Sequence, residues 1–278
     1  MRDESENAQL ALLLEVTGTP KPGNVDRHRD YDDLGFEQFM AGAVGSLPGL
    51  RLAADADAPL GRSFERAVAG MSNQSAGNTQ FGALLMLTPL VRAAATDRFD
   101  PSGIRAVVES TTVDDACAFY RAFEHVDVAV DAPPDGLDDL DVRRGGDAAA
   151  ALRTRELTLY GVMELSASVD GVAAEWTNGF ERSVRAAERL REDDGPIYKR
   201  ASRAFLRLLA EEPDTFVVTR NGVDAAQEAT RRARAVLDGE EDAEALADEF
   251  VGRDINPGTT ADLTAAALFI ALERGLEV

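Results

Sequence analysis

The feature that most constrains the fold of this chain is the near absence of strand-like patterning. Apolar residues recur at helical spacing along most of the sequence, and long helices are predicted over 147–168 and 171–191. Only Phe216, Val217 and Val218 form a run typical of a β-strand. The pattern therefore predicts an all-α fold, a multi-helix bundle that forms a single domain over residues 1–278.

The charge composition narrows the classes of partner. Asp and Glu number 50 against 29 Lys and Arg, the formal net charge is −21, and Lys21 and Lys199 are the only lysines. We expect a halophile's cytoplasmic protein and no nucleic-acid partner, because no basic stripe faces phosphates. A small anionic substrate stays compatible, since at about 1 M salt the Debye length falls to about 3 Å. One cysteine excludes an internal disulfide, and no apolar run approaches the roughly 20 residues of a membrane span.

The chemistry of the chain concentrates in residues 19–33, between two predicted helices. Pro20 and Pro22 disfavour a helix there, and the Gly23-Asn24 pair suits a turn. The charged residues held in this frame are Lys21, Asp26, Arg27, His28, Arg29, Asp30, Asp32 and Asp33. The segment is either a solvated connector or one side of a functional site, and Asp33 is expected to cap the helix that follows it.

Three further breaks between helices have a similar composition. Residues 77–79, before an apolar helix, either expose backbone N–H groups to an anion or supply an ordinary N-cap. In the next break, residues 214–222, Arg220 either binds a phosphate or belongs to a surface turn. In the last, Thr259 and Asp262 have the spacing of a capping box, although Asp262 could instead reach a metal beside the helix end.

Asp170 and Glu175 form a further candidate pair of carboxylates. On an unbroken helix they would lie about 140° apart and could not share a face. Gly171 indicates a break, with Asp170 as a helix cap. The pair is therefore either structural or catalytic. His28, placed among aspartates, is a candidate base or metal ligand.

Together the four breaks resemble the signature segments of the triphosphoribosyl-dephospho-coenzyme A synthase family. The opening signature is matched by Glu15, Thr17, the run Thr19-Pro-Lys-Pro-Gly-Asn-Val-Asp26, His28 and Asp30. Later segments are matched by Gly77-Asn78-Thr79 with Gly82, Asp214-Thr215 with Arg220 and Gly222, and Pro257-Gly258 with Ala261-Asp262-Leu263. Where the family has His-Lys after Asn-Thr, this chain has Gln80-Phe81. The sequence looks closer to an archaeal branch of the family.

The resemblance implies an all-α enzyme that moves the triphosphoribosyl group of ATP onto the 2′-hydroxyl of dephospho-CoA and releases adenine. The product is the precursor of the prosthetic group of citrate lyase and malonate decarboxylase. ATP and dephospho-CoA, or a related compound, are the expected small-molecule partners, and a homo-oligomer is compatible with the sequence. Two alternatives stay open: a Mg²⁺-dependent enzyme acting on another nucleotide or sugar phosphate, and a non-catalytic nucleotide-binding helical protein.

Under this interpretation the candidate residues take three roles. Substrate and phosphate binding falls to Lys21, Gly23, Asn24, Arg27, Asn78, Thr79, Gly82, Thr215, Arg220, Gly258 and Thr259. The candidate catalytic residues are Asp26, His28, Asp170 and Glu175. Asp26, Asp30 and Asp262 are the predicted ligands of Mg²⁺, an ion that prefers carboxylate and phosphate oxygens.

Overall fold

The computed structural model describes residues 2–133 and 136–278, and the regular structure within them is helical. The β-type pairing in these ranges is limited to an isolated bridge between Asp26 and Arg29. The described α-helices are α1 (Glu4–Thr17), α2 (Phe36–Ala54), α3 (Leu60–Met71), α4 (Phe81–Ala95), α5 (Pro101–Glu109), α6 (Val113–Ala122), α7 (Ala149–Thr154), α8 (Leu159–Ser166), α9 (Gly171–Asn178), α10 (Glu181–Glu192), α11 (Ile197–Glu211), α12 (Thr215–Asn221), α13 (Val223–Leu237), α14 (Ala243–Gly252) and α15 (Gly258–Glu273). The predicted all-α fold is confirmed.

Helix α15 lies at the centre of the main apolar core. It packs against α1, α4, α10 and α11, and every residue from 263 to 272 is buried. A helix that is apolar on all sides has to be surrounded by other elements. Phe269 is fully buried with its ring centroid 5.7 Å from that of Phe99, and burying a side chain of this size contributes about 1.5–3 kcal/mol. No helix of the described residues is long and apolar enough to cross a membrane.

A second apolar cluster joins α11, α12, α13 and α14, and includes Phe205, Val217 and Phe250. Its helix α12 contains the run that was predicted as a strand. That prediction was wrong, because the Asp214 carboxylate accepts a hydrogen bond from Val217 N (3.0 Å) and so starts a helix. One side of the new helix then buries Val217, and Phe216 faces the other way, toward a cavity.

Both of the predicted long helices are interrupted. The pattern over 171–191 divides into α9 and α10, because Gly179 and Phe180 adopt left-handed conformations with φ of 84° and 62°. The pattern over 147–168 divides into a 3-10 segment (Val142–Ala148), α7 and α8, with Thr158 capping α8. Apolar periodicity continues across each break, so periodicity alone predicted one helix where there are two or more.

Side-chain caps begin many of the helices. The capping residues are Asp3, Asp100, Thr112, Thr158, Asp170, Asp214 and Asp242. Each cap is worth about 1 kcal/mol, which gives part of the aspartate content a structural role. The prediction that Asp33 caps α2 was wrong. Gly35 occupies that N-cap position, and Asp30 accepts the hydrogen bond from Phe36 N (2.7 Å).

Candidate active site

A cavity of about 350 Å³ lies where four helices begin. Residues from the first turns of α4, α9, α12 and α15 line it, among them Gly82, Val172, Thr215 and Thr259. Helix N-termini carry a partial positive charge, although Asp170 and Asp214 already cap α9 and α12. Their convergence makes this cavity a candidate anion-binding site.

Hydrogen bonds join three of these helix starts. Gly171 N donates to Thr215 Oγ1 (3.1 Å), which lies 3.0 Å from Thr259 Oγ1. Asp214, which caps α12, also accepts from the N and Oγ1 of Thr260 on α15 (both 2.7 Å). The cluster fixes α9, α12 and α15 to one another, and it brings together Thr215 and Thr259, two of the predicted binding residues.

Asp262 extends from α15 to the first turn of α4. Gly82 makes this possible, because a Cβ at position 82 would overlap the Asp262 carboxyl group. The carboxyl is partly open to the cavity and is enclosed by protein on its other sides, where Ala83 N reaches it. Burial, with Glu15 and Asp214 nearby, raises the pKa of Asp262 well above its ordinary value. Asp262 therefore favours its neutral, proton-bearing form.

The predicted capping box of Thr259 and Asp262 is not formed. Helix α15 begins at Gly258, after the N-cap residue Pro257, and Asp262 turns away toward α4. Gly258 lies on the cavity wall, where a Cβ would stand 3.0 Å from the Phe216 ring.

The start of α4 also carries the predicted residues Asn78 and Thr79. Both line the cavity, as does Gly82. Asn78 Oδ1 accepts a hydrogen bond from Phe81 N (3.2 Å), and the Asp262 carboxyl packs against the same turn. Side chains of the protein itself therefore already bind the N–H groups of Phe81 and Ala83 in the first turn of α4.

Asp26 organises the opening loop and does not line the cavity. It is fully buried and accepts hydrogen bonds from Thr19 Oγ1 (2.9 Å), Lys21 N (3.1 Å) and His28 N (2.8 Å). Arg29 approaches it at 3.3 Å and continues to carboxylates on α14. Because these donors occupy its oxygens, Asp26 holds the loop in shape, and its position does not support the predicted role as base or metal ligand.

Lys21 is fully buried behind the cavity wall. Its Nζ pairs with Glu15 and donates to Asn24 Oδ1 (2.8 Å). Glu15 belongs to α1 and does line the cavity. Burial raises the pKa of the Glu15 carboxyl, and the Lys21 ammonium opposes that rise. Lys21 therefore supports a carboxylate at the cavity instead of reaching a ligand itself.

Asn24 brings the opening loop to the edge of the cavity. Its Nδ2 donates to Asn256 Oδ1 (2.9 Å), and both residues line the wall. Gly23 has a φ of 73°, and a Cβ there would overlap the carbonyl oxygen of Ile255. Only glycine combines this conformation with such a close approach. The predicted Gly23 and Asn24 thus join the loop to the segment that precedes α15.

Three residues of the opening loop lie away from the cavity. Arg27 is exposed and places its guanidinium 4.8 Å from the Tyr198 ring centroid. The His28 side chain is also exposed. Asp30 is exposed and is hydrogen-bonded to Phe36 N at the start of α2. These positions do not support the predicted roles of Arg27 in phosphate binding, His28 in catalysis or Asp30 in metal binding.

Arg220 and Glu175 also face elsewhere. Arg220 pairs with Asp254 (3.0 Å), and its neighbour Thr219 is the one that lines the cavity. Glu175 is fully buried and accepts from the N and Oγ of Ser183 (2.9 and 2.6 Å), which ties α9 to α10. It has no access to the cavity, so the predicted catalytic role of Glu175 finds no support here.

Asp170 does reach the cavity. It caps α9 by accepting from Ala173 N (2.8 Å), which is the break predicted at Gly171. Its side chain keeps an open side toward the cavity, while the protein around it and the charge of Asp131 raise its pKa. Asp131 is held by a hydrogen bond from Thr219 Oγ1 (2.9 Å).

The three predicted magnesium ligands are not brought together. Asp26 is enclosed in its loop, Asp30 lies at the surface, and Asp262 faces the cavity. Across residues 2–133 and 136–278, no three His, Cys, Asp or Glu side chains are grouped so that they could hold a metal ion. The described residues therefore do not form the metal centre that was predicted from those three aspartates.

The described wall of the cavity is acidic. Its carboxyl-bearing residues are Glu15, Asp131, Asp141, Asp170 and Asp262. No Lys, Arg or His of the described residues lines it. The predicted phosphate contacts of Lys21, Arg27 and Arg220 are therefore not available from this wall, and a bound phosphate needs positive charge beyond that of the helix ends.

Much of the remaining wall is apolar. Phe81, Phe119 and Phe123 pack there with ring centroids 4.8 to 6.3 Å apart, and Met163 of α8 lies on the same wall. A cavity with convergent polar groups and an extensive apolar lining suits a ligand that has both a charged part and a planar or aliphatic part.

Sequence reasoning missed Glu15 as a site residue, although a signal was present. Ala8, Ala11, Leu12 and Glu15 share one buried face of α1 at positions i, i+3, i+4 and i+7. An acid on an otherwise apolar face needs a buried partner, because carboxylates are rarely buried alone. Lys21 is that partner.

The fold and the site together define an all-α protein with an acidic cavity at converging helix N-termini. A family model described as ATP:dephospho-CoA triphosphoribosyl transferase matches residues 1–277. The chain belongs to this family.

Known relatives agree with this assignment. The 2-(5''-triphosphoribosyl)-3'-dephosphocoenzyme-A synthase of Pectobacterium atrosepticum is 26% identical over 292 residues, which cover 95% of this chain and 86% of that protein. A probable synthase of the same name from Pseudomonas syringae pv. tomato is 27% identical over 286 residues, covering 94% and 87%. A solved structure from Archaeoglobus fulgidus, described as that of a triphosphoribosyl-dephospho-CoA synthase, has the same fold. Its TM-score is 0.68 and its sequence identity is 24%, and the match covers 85% of this chain and 99% of that one.

Proposed function

We propose that this protein transfers the triphosphoribosyl group of ATP to the 2′-hydroxyl of 3′-dephospho-CoA and releases adenine. The observation that carries the proposal is the presence of Glu15 and Asp262, two carboxyl groups in different surroundings, in one cavity at converging helix N-termini. The reaction needs an acid for the leaving base and a base for the acceptor hydroxyl.

The proposed reaction exchanges one bond at C1′ of the ATP ribose for another. The bond to N9 of adenine breaks, its electron pair leaves with the base, and the base takes up one proton. A bond forms between C1′ and the acceptor oxygen, which gives up one proton. Positive charge develops on the ribose between these events, and the acidic wall of the cavity stabilises it.

Asp262 and Glu15 suit the two proton transfers. Burial and neighbouring carboxylates raise the pKa of Asp262 and favour its protonated form, which makes it the proposed acid for the leaving adenine. Burial also raises the pKa of Glu15, but its ion pair with Lys21 favours the charged form. Glu15 is therefore the proposed base for the acceptor hydroxyl. Lys21 is then a positioning residue that acts through Glu15.

The triphosphate is expected at the joined starts of α9, α12 and α15, beside Thr215 and Thr259. Because the described wall offers no cationic side chain, we propose that Mg²⁺ accompanies ATP and supplies that charge. Mg²⁺ commonly binds through one or two carboxylates together with substrate phosphates. Asp170 and the adjacent Asp131 face the cavity and are the residues that would hold it.

The test is to incubate the protein with ATP, Mg²⁺ and dephospho-CoA and to separate bases and nucleotides by chromatography. We expect one adenine for each dephospho-CoA consumed, and a loss of about 10²–10⁴-fold in kcat for Asp262→Asn with its fold intact. Phosphate release without adenine would favour an enzyme acting on another nucleotide or sugar phosphate. Tight binding of ATP without turnover would favour a non-catalytic nucleotide-binding protein.

A further inference from the structure

Gln80, immediately before α4, is a buried side chain with no partner in the described protein. It is 3% exposed and lines the cavity, yet neither its Oε1 nor its Nε2 makes a hydrogen bond. The hydroxyl of the preceding Thr79, which also lines the cavity, is buried and unpartnered in the same way. Three unpartnered polar atoms thus belong to two adjacent residues of the cavity wall.

Buried polar atoms are almost always hydrogen-bonded, so this group requires an explanation. The backbone of Gln80 is fully used: its N donates to Met71 Sδ (3.2 Å) and its carbonyl accepts from Leu84 N (2.9 Å). The backbone of Gln80 is therefore fixed by the chain around it, while its side-chain amide has no partner. An arrangement of this kind is complete only when a ligand or a water supplies the missing partners.

The neighbouring helix α2 leaves room for these atoms. Gly42 faces them, and a Cβ there would lie 2.5 Å from Thr79 Oγ1 and 3.5 Å from Gln80 Oε1. Any larger residue at position 42 would press on the hydroxyl. The sequence therefore combines a small residue on α2 with two unsatisfied polar residues on the cavity wall.

A carboxamide offers one donor and one acceptor side by side in a plane. Its complement is a planar group that presents an acceptor next to a donor, which the N7 and the 6-amino group of adenine provide. Phe39 and Phe81 lie on the same wall and add apolar surface beside such a ring. Asp262, the proposed acid for the leaving base, packs against Gly82, only two residues along from Gln80.

We infer that Gln80, assisted by Thr79, reads the adenine edge of the nucleotide and makes the site selective for adenine over hypoxanthine. This inference rests on the proposed function in taking ATP as the donor nucleotide. In ITP an oxygen replaces the 6-amino group, so two acceptors would face each other across the same contact. A site built to bond a donor rejects an analogue that lacks it, because its own acceptor is left buried and unpaired.

The experiment compares ATP with ITP in the wild type and in Gln80→Met, a change that keeps the length of the side chain and removes its amide. Direct calorimetric binding without acceptor and kcat/KM for base release are both measured. We expect the wild type to prefer ATP by at least about tenfold and Gln80→Met to bring that ratio close to one. The exposed Gln227 on α13 provides the control, and Gln227→Met should leave the ratio unchanged.

Two results would overturn the inference. One is equal binding of ATP and ITP by the wild type; the other is an undiminished ATP preference in Gln80→Met. The melting temperature of the ligand-free variant separates binding from a structural role, because removing an unpartnered amide should not lower it. If the wild type binds ATP selectively but releases no adenine, the proposed reaction fails while the role of Gln80 stands.

Discussion

Replacing Lys21 by methionine removes one charge from a fully buried ion pair. Lys21 has no exposed surface, and its Nζ contacts Glu15 and Asn24 (2.8 Å to Oδ1). Methionine fills nearly the same volume, so the change isolates the charge and the hydrogen bonds from the packing. Glu15 would then be an uncompensated carboxylate near the buried Asp26, whose charge already disfavours ionisation of Glu15.

The expected loss is about 3–5 kcal/mol in the free energy of unfolding, the cost of removing one partner of a buried ion pair. The double variant Lys21→Met/Glu15→Gln should recover most of that loss, because no unpaired charge is left behind. Urea denaturation at fixed salt measures both values. The only other lysine supplies a control: Lys199 on α11 is exposed, so Lys199→Met should stay within about 0.5 kcal/mol of the wild type.

A Lys21→Met variant within about 1 kcal/mol of the wild type would refute this account of the buried pair. An equal loss in the single and double variants would also contradict it, because the damage would then not arise from the charge on Glu15. A stable Lys21→Met variant with a raised KM for ATP and an unchanged kcat would favour the earlier prediction that Lys21 binds phosphate.

Three further predictions address the site. Gly82→Ala should lower the free energy of unfolding by about 1–3 kcal/mol and remove most of the activity, because its Cβ displaces the Asp262 carboxyl. The control Gly252→Ala, whose Cβ would have nothing within 4 Å, should change neither, and equal effects of the two substitutions in unfolding and turnover assays would contradict this. Because the pKa of Asp262 is raised in the folded state, this residue contributes stability that is present below pH 3.8 and is lost as the pH rises through its folded pKa. Asp262→Asn should therefore gain stability relative to the wild type as the pH increases. Denaturation curves with a constant or opposite difference between the two proteins would contradict that assignment. Glu175→Gln should lower the melting temperature and leave the KM for ATP unchanged, since Glu175 only joins α9 to α10; a raised KM in a fully folded variant would show access to the ligand.

The chain segments that form the site could be predicted from the sequence more accurately than the side chains that face the cavity. Asn24, Asn78, Thr215 and Thr259 come from four separate breaks, and all line one cavity. Helix starts carry recognisable turn and cap residues, so their positions can be inferred from composition. The fold class was equally accessible, because helical periodicity depends on local spacing.

The direction of charged side chains was not accessible in the same way. Asp26 and Glu175 have the residue type of catalytic groups, but backbone and hydroxyl donors satisfy them within the fold. Whether a carboxylate meets such donors depends on tertiary contacts that a sequence pattern does not contain. Gln80 was noted only as a departure from the family's pattern, and Asp131 and Asn256 were not named as site residues, since only the packed structure shows them on the cavity wall.

A crystal structure of the protein with the magnesium complex of ATP tests the central claim most directly. The account predicts the triphosphate at the starts of α9, α12 and α15, beside Thr215 and Thr259, with C1′ of the ribose between Glu15 and Asp262. Nucleotide bound outside this cavity, or phosphates held by Lys21 or Arg220, would contradict it.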